Sequence, residues 1–238
     1  MLLASASLYA ASLSNGKLTA EFGERGLTSL AGYRLTDDSF SITLDGKTFD
    51  SGALAIPKQK AGSGQFTFTY SAGLYQFKVV YELRPDWQFL SKQVVVEAPR
   101  GATFHVNDIA VLRESLAEAP SDVHVIHRAR PKLGTADYGA AIRFNSGRGL
   151  LAVVQNPFLT FEGERGRFSL RYRPDMLWDA SWGSFESDRA LLAPCHLSGH
   201  RLLEKMIPEW KLQAEDKSTG LDEAEVDTFT GLVRAFLL

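Results

Sequence analysis

Apolar and polar residues alternate along most of this chain. A period of two is what an extended strand needs to turn one face inward and the other to water. Between Gln65 and Tyr70, the aromatics Phe66, Phe68 and Tyr70 share one face while Gln65, Thr67 and Thr69 take the other. The next run repeats the pattern: Tyr75, Phe77, Val79, Tyr81 and Leu83 point one way, and Gln76, Lys78, Glu82 and Arg84 the other, with Val80 as an apolar exception. Joined by Ser71, Ala72 and Gly73, the two runs predict a hairpin. Shorter copies occur at Leu18 to Phe22, at Phe40 to Leu44, at Ile142 and Phe144, and at Phe168, Leu170 and Tyr172. The unbroken apolar run Leu150 to Val154 predicts a central strand covered on both faces. Turn signals such as Asn15-Gly16, Asp45-Gly46, Gly62-Ser63-Gly64, Pro85-Asp86 and Asn145-Ser146-Gly147 punctuate these runs. The fold class expected is all-β: a large antiparallel β-sandwich.

The pattern changes after Trp210. Gln213 to Gly220 is polar, and Leu221 to Leu238 then switches to helical spacing, with Val226, Phe229, Leu232, Val233 and Phe236 on one stripe. Thr219 and Asp222 suit the cap and first turn of that helix, where a carboxylate complements the helix dipole. The expected organisation is a β-sandwich over residues 1–212 followed by a linker and one C-terminal α-helix over 213–238. That helix would dock on the sandwich or lead into a further domain. The alternative is a pair of smaller β domains split near Pro120, where Glu114 to Asp122 has a linker-like composition.

Composition narrows the function. With 238 residues, 45% hydrophobic and 23% charged, the chain can bury one sizeable core and shows no signature of disorder. A formal net charge of −2 without a Lys/Arg block argues against a nucleic-acid groove, which needs clustered cations. Cys195 is the single cysteine, which rules out an intrachain disulfide and a multi-cysteine zinc site. No cofactor and no metal are expected. Met1 to Ala11, small and apolar, reads either as the remainder of an export signal or as a first edge strand. On the first reading the protein is periplasmic or extracellular, and a cytoplasmic location stays open. No run reaches the ~18 apolar residues of a membrane span.

The segment from Asp175 to Asp188 is the most unusual. Trp178, Trp182 and Phe185 share fourteen residues with the carboxylates Asp175, Asp179, Glu186 and Asp188. Indole faces stack on the C–H face of a sugar ring, and carboxylates accept hydrogen bonds from its hydroxyls. The candidate sugar-binding residues are therefore Trp178, Asp179, Trp182, Glu186 and Asp188. On the plainer reading, Trp178 and Trp182 are core residues at one end of the sandwich and the carboxylates are merely solvated. His105, followed by Asn107 and Asp108, is the histidine best placed for a cleft. His124 and His127, three apart on an expected strand, would point to opposite faces and could not share a metal. Gly-x-Ser-x-Gly, Walker and His-Glu-x-x-His signatures are missing from the sequence, and no pair of carboxylates is singled out for glycoside hydrolysis.

Ser14-Asn15-Gly16-Lys17-Leu18-Thr19-Ala20-Glu21-Phe22, followed by Gly26-Leu27-Thr28-Ser29-Leu30, resembles the opening of N-terminal β domains in glycoside hydrolases of the α-galactosidase-like type. There it begins a galactose-mutarotase-like supersandwich. Tyr81 to Trp87, the Trp178 to Asp188 segment and the closing helix are similar to that kind of protein as well. The resemblance implies a carbohydrate-associated module, not catalytic by itself, that precedes a catalytic (β/α) barrel in a longer protein. It also implies a rival: free-standing mutarotases and epimerases of this fold use a histidine and a carboxylate, a role that His105 would fill here with an unidentified partner. A purely structural domain without ligand is the third reading.

Overall fold

A computed structural model describes residues 11–127, 137–156, 158–164 and 166–196. The expected helix over Leu221 to Leu238 and the reading of the first ten residues lie outside this range. In chain order the strands are β1 (Ala11–Ser14), β2 (Thr19–Phe22), β3 (Leu27–Leu30), β4 (Tyr33–Leu44), β5 (Lys47–Asp50), β6 (Lys58–Gly62), β7 (Gln65–Ala72), β8 (Tyr75–Glu82) and β9 (Leu90–Glu97). They continue as β10 (Thr103–Leu116), β11 (Asp122–His127), β12 (Asp137–Arg143), β13 (Arg148–Val154), β14 (Thr160–Glu164), β15 (Arg167–Tyr172), β16 (Met176–Asp179), β17 (Phe185–Glu186) and β18 (Ala190–His196).

Two antiparallel sheets result. The first runs β1-β2-β3-β4-β10-β15-β14, with β5 added to β4 and β16 to β10. The second runs β11-β12-β13-β18-β9-β8-β7-β6, with β17 added to β9. Each sheet takes strands from both sides of Pro120. The expected hairpin is β7–β8, in register from Gln65 opposite Glu82 to Ala72 opposite Tyr75. Every residue from Gly149 to Val154 is buried, as the apolar run of β13 requires.

The inward phase of each strand fills the space between the sheets. Phe22 of the first sheet stacks on Phe66 of the second at 4.6 Å, and its ring lies 5.0 Å from that of Tyr81. Phe40 meets Tyr70 edge-on at 5.6 Å. Each such ring contributes roughly 1.5–3 kcal/mol through removal from water. Asn15, at the turn between β1 and β2, holds the first sheet to a loop of the second. Its Oδ1 accepts from the backbone N–H of Lys17 and Leu18, while its Nδ2 donates to the carbonyls of Arg84 and Trp87, both at 2.7 Å. The Gly23 to Gly26 segment is a turn closed by a 2.8 Å backbone bond, as its glycines predict.

One part of this interior is not apolar. Lys92 of β9 stands in the inward phase and reaches Asp38 of β4, with Glu114 of β10 directly opposite Asp38 across the β4–β10 pair. The three side chains are at most 2% exposed. Asp38 also packs against Gly26, where an added Cβ would lie 2.7 Å from Asp38 Oδ2. Only glycine leaves room for that approach. Two ionised carboxylates side by side in this setting would repel strongly, and one of them keeps its proton. Burial, reinforced by the neighbouring Asp38 charge, holds the Glu114 carboxyl well above the usual carboxylate range.

This has a measurable consequence. A carboxyl whose value is raised in the fold contributes stability that is fully present below its ordinary value, ~4.3 for glutamate. That contribution is lost as pH climbs through the raised value, because unfolding then releases a proton. The unfolding free energy, from urea titrations at constant ionic strength, is expected to fall with rising pH across the window that opens just above the ordinary glutamate value. A profile that is level or rising across that window would mean that Glu114 is ionised in the fold.

Candidate functional site

The Asp175 to Asp188 segment starts as a strand because β16 fills the part of the β10 edge that β15 leaves open. Thr103 pairs with Asp179, Phe104 with Trp178, His105 with Leu177 and Val106 with Met176. The alternation assigns the faces: Trp178 joins Phe104 toward the core, while His105, Leu177 and Asp179 share the outer face of the first sheet. Trp178 is half-buried, packs edge-on against Phe185 at 5.6 Å, and donates its indole N–H to the Gly183 carbonyl at 3.0 Å.

A one-turn 3-10 helix over Ala180–Trp182 follows. Asp179 caps it: the carboxylate accepts from the Ser181 backbone N–H at 2.7 Å, and that bond holds its pKa below the ordinary value. Ala180 N–H donates to the Ala102 carbonyl at 2.9 Å, tying the turn to the chain before β10. At the tip, Trp182 is 68% exposed, its ring edge-on to Trp178 at 5.8 Å. The two tryptophans thus divide the labour. Trp178 anchors the turn and Trp182 presents an open indole to solvent.

Beside this turn lies an open groove of about 530 Å³. Its walls are Leu74 and Gln76 from the β7–β8 hairpin, Glu97 to Arg100 from the end of β9, and Ala180, Ser181, Gly183 and Ser184 from the turn itself. Glu97 pairs with Lys78 at 2.5 Å. The groove therefore offers an amide, a charged pair, backbone groups and a nearby indole, which is the mixture of donors, acceptors and flat apolar surface that a sugar ring uses.

Of the residues predicted from sequence, Trp178, Asp179 and Trp182 are brought together, with His105 on the neighbouring strand. His105 Nδ1 shares a hydrogen bond of 2.7 Å with Asn107 Nδ2, and its Nε2 faces Asp175 Oδ1 at 3.6 Å. That carboxylate is largely exposed, so the pair lies on an open surface and not across a cleft. Glu186 is placed on the second sheet instead, in β17, and Asp188 in the connection between β17 and β18. Glu186 is exposed opposite Val95, where Gln93 Nε2 comes within 3.4 Å. Asp188 is engaged: Asn156 donates to its carboxylate at 2.8 Å, and its own N–H donates to the Tyr172 hydroxyl at 2.7 Å. Sequence reasoning missed Gln76, Glu97 and Arg100, although the outward phase of Gln76 was legible.

A second polar group on the outer face of the second sheet was also missed as a unit. Arg189 contacts Glu82 at 2.5 Å, Arg84 contacts the other Glu82 oxygen at 2.8 Å, and the Arg84 guanidinium lies 4.6 Å from the Trp87 ring. Burial pushes the Glu82 carboxyl up, but the hydrogen bonds from Arg84 and Arg189 outweigh it and hold the pKa below the ordinary value. The group is a satisfied ion network. Among the described residues no three of His, Cys, Asp and Glu converge as a metal site requires, and no helix is long and apolar enough to cross a membrane.

No family model and no curated protein matches this sequence. Solved structures do. A candidate aldose 1-epimerase from Escherichia coli K12 superposes with a TM-score of 0.52 at 13% identity, over 79% of this chain and 99% of that one. The α-N-acetylgalactosaminidase NagBb from Bifidobacterium bifidum superposes with a TM-score of 0.56 at 12% identity, over 86% of this chain and 39% of that one. At such identities the likeness establishes a shared fold, the galactose-mutarotase-like sandwich, also found as part of a glycoside hydrolase.

Proposed function

We propose that this chain is a carbohydrate-associated β-sandwich module that contacts glycan at Trp182 and the adjoining groove, and that it has no catalytic activity of its own. The observation that carries the reading is the exposed Trp182 indole held at the tip of a capped turn beside a polar groove. The names of the two structural neighbours, an epimerase of aldoses and an acetylgalactosaminidase, support carbohydrate as the ligand class. The second neighbour is much longer than the shared region, which supports a module standing beside a separate catalytic domain, such as a C-terminal barrel.

The acid and base groups around the turn already hold other roles, which weighs against catalysis. Glycoside hydrolysis needs two carboxyls facing across a cleft. Here Glu97 is paired with Lys78 and Asp179 is spent on the turn. Saturation-transfer NMR with galactose, N-acetylgalactosamine and glucose tests the reading on the whole chain. At least one sugar should receive magnetisation, and Trp182→Ala should weaken its binding about tenfold, the scale of one lost aromatic contact. The melting temperature of the variant should stay unchanged, because Trp182 is exposed. Undiminished binding in the variant would remove the site. The rival epimerase reading predicts faster anomer interconversion than buffer alone, abolished in His105→Asn.

A further inference from the structure

The buried Lys92, Asp38 and Glu114 group is arranged for more than an ion pair. Lys92 crosses from the second sheet so that its Nζ contacts Asp38 Oδ1 directly, donates to the Ser39 carbonyl at 2.8 Å and lies 3.6 Å from Glu114 Oε1. The other Asp38 oxygen, Oδ2, accepts two hydrogen bonds, one from the Leu27 backbone N–H at 2.5 Å and one from the Tyr81 hydroxyl. Burial, then the Asp38 charge, keep the Tyr81 phenol well above its ordinary range, so it remains a donor. Among the described residues neither oxygen of Glu114 reaches hydrogen-bond geometry with a neighbour. The rings of Phe22 and Phe68 pack on Tyr81 at 5.0 and 5.9 Å and close the site to water.

We propose that Lys92 and Asp38 condense into an intramolecular isopeptide bond, with Glu114 as the proton carrier. The amine and the carboxyl are held in contact by two packed sheets, which makes their reaction unimolecular and favours it strongly. Passing one proton from the ammonium to Oδ1 converts the ion pair into a neutral amine and a neutral acid, a change that an apolar interior favours. Nζ then adds to Cγ. Charge develops on Oδ2, where the Leu27 N–H and the Tyr81 O–H already point, so that they act as an oxyanion hole. The neutral Glu114 carboxyl gives its proton to the departing Oδ1 and recovers one from the adduct nitrogen.

The step balances without any redox partner. One Nζ–Cγ bond forms, one Cγ–Oδ1 bond breaks, and Oδ1 leaves as a single water molecule. The product is a neutral amide joining β4 to β9, one strand of each sheet, in place of two charges that are costly to bury. It requires no substrate, metal or second chain, and it is independent of the glycan reading.

Intact-mass spectrometry of the full-length chain, denatured and reduced, is the test. The expected mass lies below that of the sequence by one water, and fragmentation after trypsin should yield a branched peptide in which the Asp38 segment is joined at Lys92, with cleavage after Lys92 blocked. Lys92→Met and Glu114→Ala should both show the full mass. Should either variant fail to fold, the wild-type mass and its branched peptide still decide. A full wild-type mass, or a lost water located anywhere other than between Lys92 and Asp38, would overturn the proposal.

Discussion

Asp38→Ala is expected to lose about 3–5 kcal/mol of unfolding free energy, the usual scale for removing one partner of a buried charge pair. The lysine it abandons cannot retreat to water. Lys92 stands in the inward phase of a central strand, between β18 and β8, and is 2% exposed. Without Asp38 its ammonium keeps the Ser39 carbonyl as a hydrogen-bond acceptor and lies 3.6 Å from Glu114 Oε1, outside hydrogen-bond distance. Two further donors lose their acceptor at the same stroke, the Leu27 N–H and the Tyr81 hydroxyl, and buried donors left unmet add to the cost. Urea denaturation of the variant beside Glu97→Ala reads this directly. The latter breaks an ion pair with both partners about one-third exposed and should cost about 1 kcal/mol or less. Equal losses in the two variants would mean that the interior group contributes nothing special. The isopeptide bond would enlarge the Asp38→Ala loss and not reverse it.

Gly139→Ala should be nearly as damaging, for a reason that lies in the backbone. Gly139 in β12 has φ of +152°, and a Cβ built there would fall 2.1 Å from the Ala152 carbonyl oxygen and 2.8 Å from Val153 Cα in β13. Both are main-chain atoms of a paired strand, with Gly139 directly opposite Val153, so no side chain can swing aside. The strands must part or the register must slip, at a cost on the order of 3 kcal/mol or more. The expected result is a lower melting temperature and faster amide exchange confined at first to β11, β12 and β13. Wild-type melting in the variant would show that β12 tolerates a shift that its pairing does not suggest.

The architecture was legible because period-two alternation is a local signal. Phe66, Phe68 and Tyr70 are all buried in β7, and Phe77, Val79 and Tyr81 in β8, as the spacing of these residues alone dictates. Val80, the apolar exception, falls on the outer face where the same rule puts it. The Lys92 group was also open to that rule: Leu90, Val94 and Val96 fix the inward phase of β9, and Lys92 shares it. What no periodicity supplies is the partner. Asp38 and Glu114 meet through the pairing of β4 with β10, strands far apart in sequence, and their register shifts at several points along the way. A bulge changes the phase, and alternation read from one end is then lost at the other.

The Asp175 to Asp188 segment shows the opposite limit. Trp178 stands between Leu177 and Asp179 and Trp182 between Ser181 and Gly183, and neither context says which indole is anchored and which is open to solvent. The first is fixed by its place in β16 opposite Phe104, and the second is freed by the turn that Asp179 caps. Glu186 and Asp188 are near neighbours of Trp182 in sequence, yet β17 carries the chain across to β9 of the other sheet. Proximity along the chain therefore does not place these carboxylates beside Trp182. The Asn15 motif that carried the resemblance turns out to clamp the loop at Arg84 and Trp87, a structural duty that agrees with its link to a fold and says nothing of chemistry.

Strand β6 ends the second sheet with all of its residues exposed, including Lys58 and Lys60. An unguarded rim of backbone donors and acceptors invites another chain to continue the sheet, and from there a fibril can grow. Two ammonium groups on so short a rim would have to be crowded against those of any identical chain that added itself there. The sandwich can thus remain open-ended along this border while discouraging its own polymerisation.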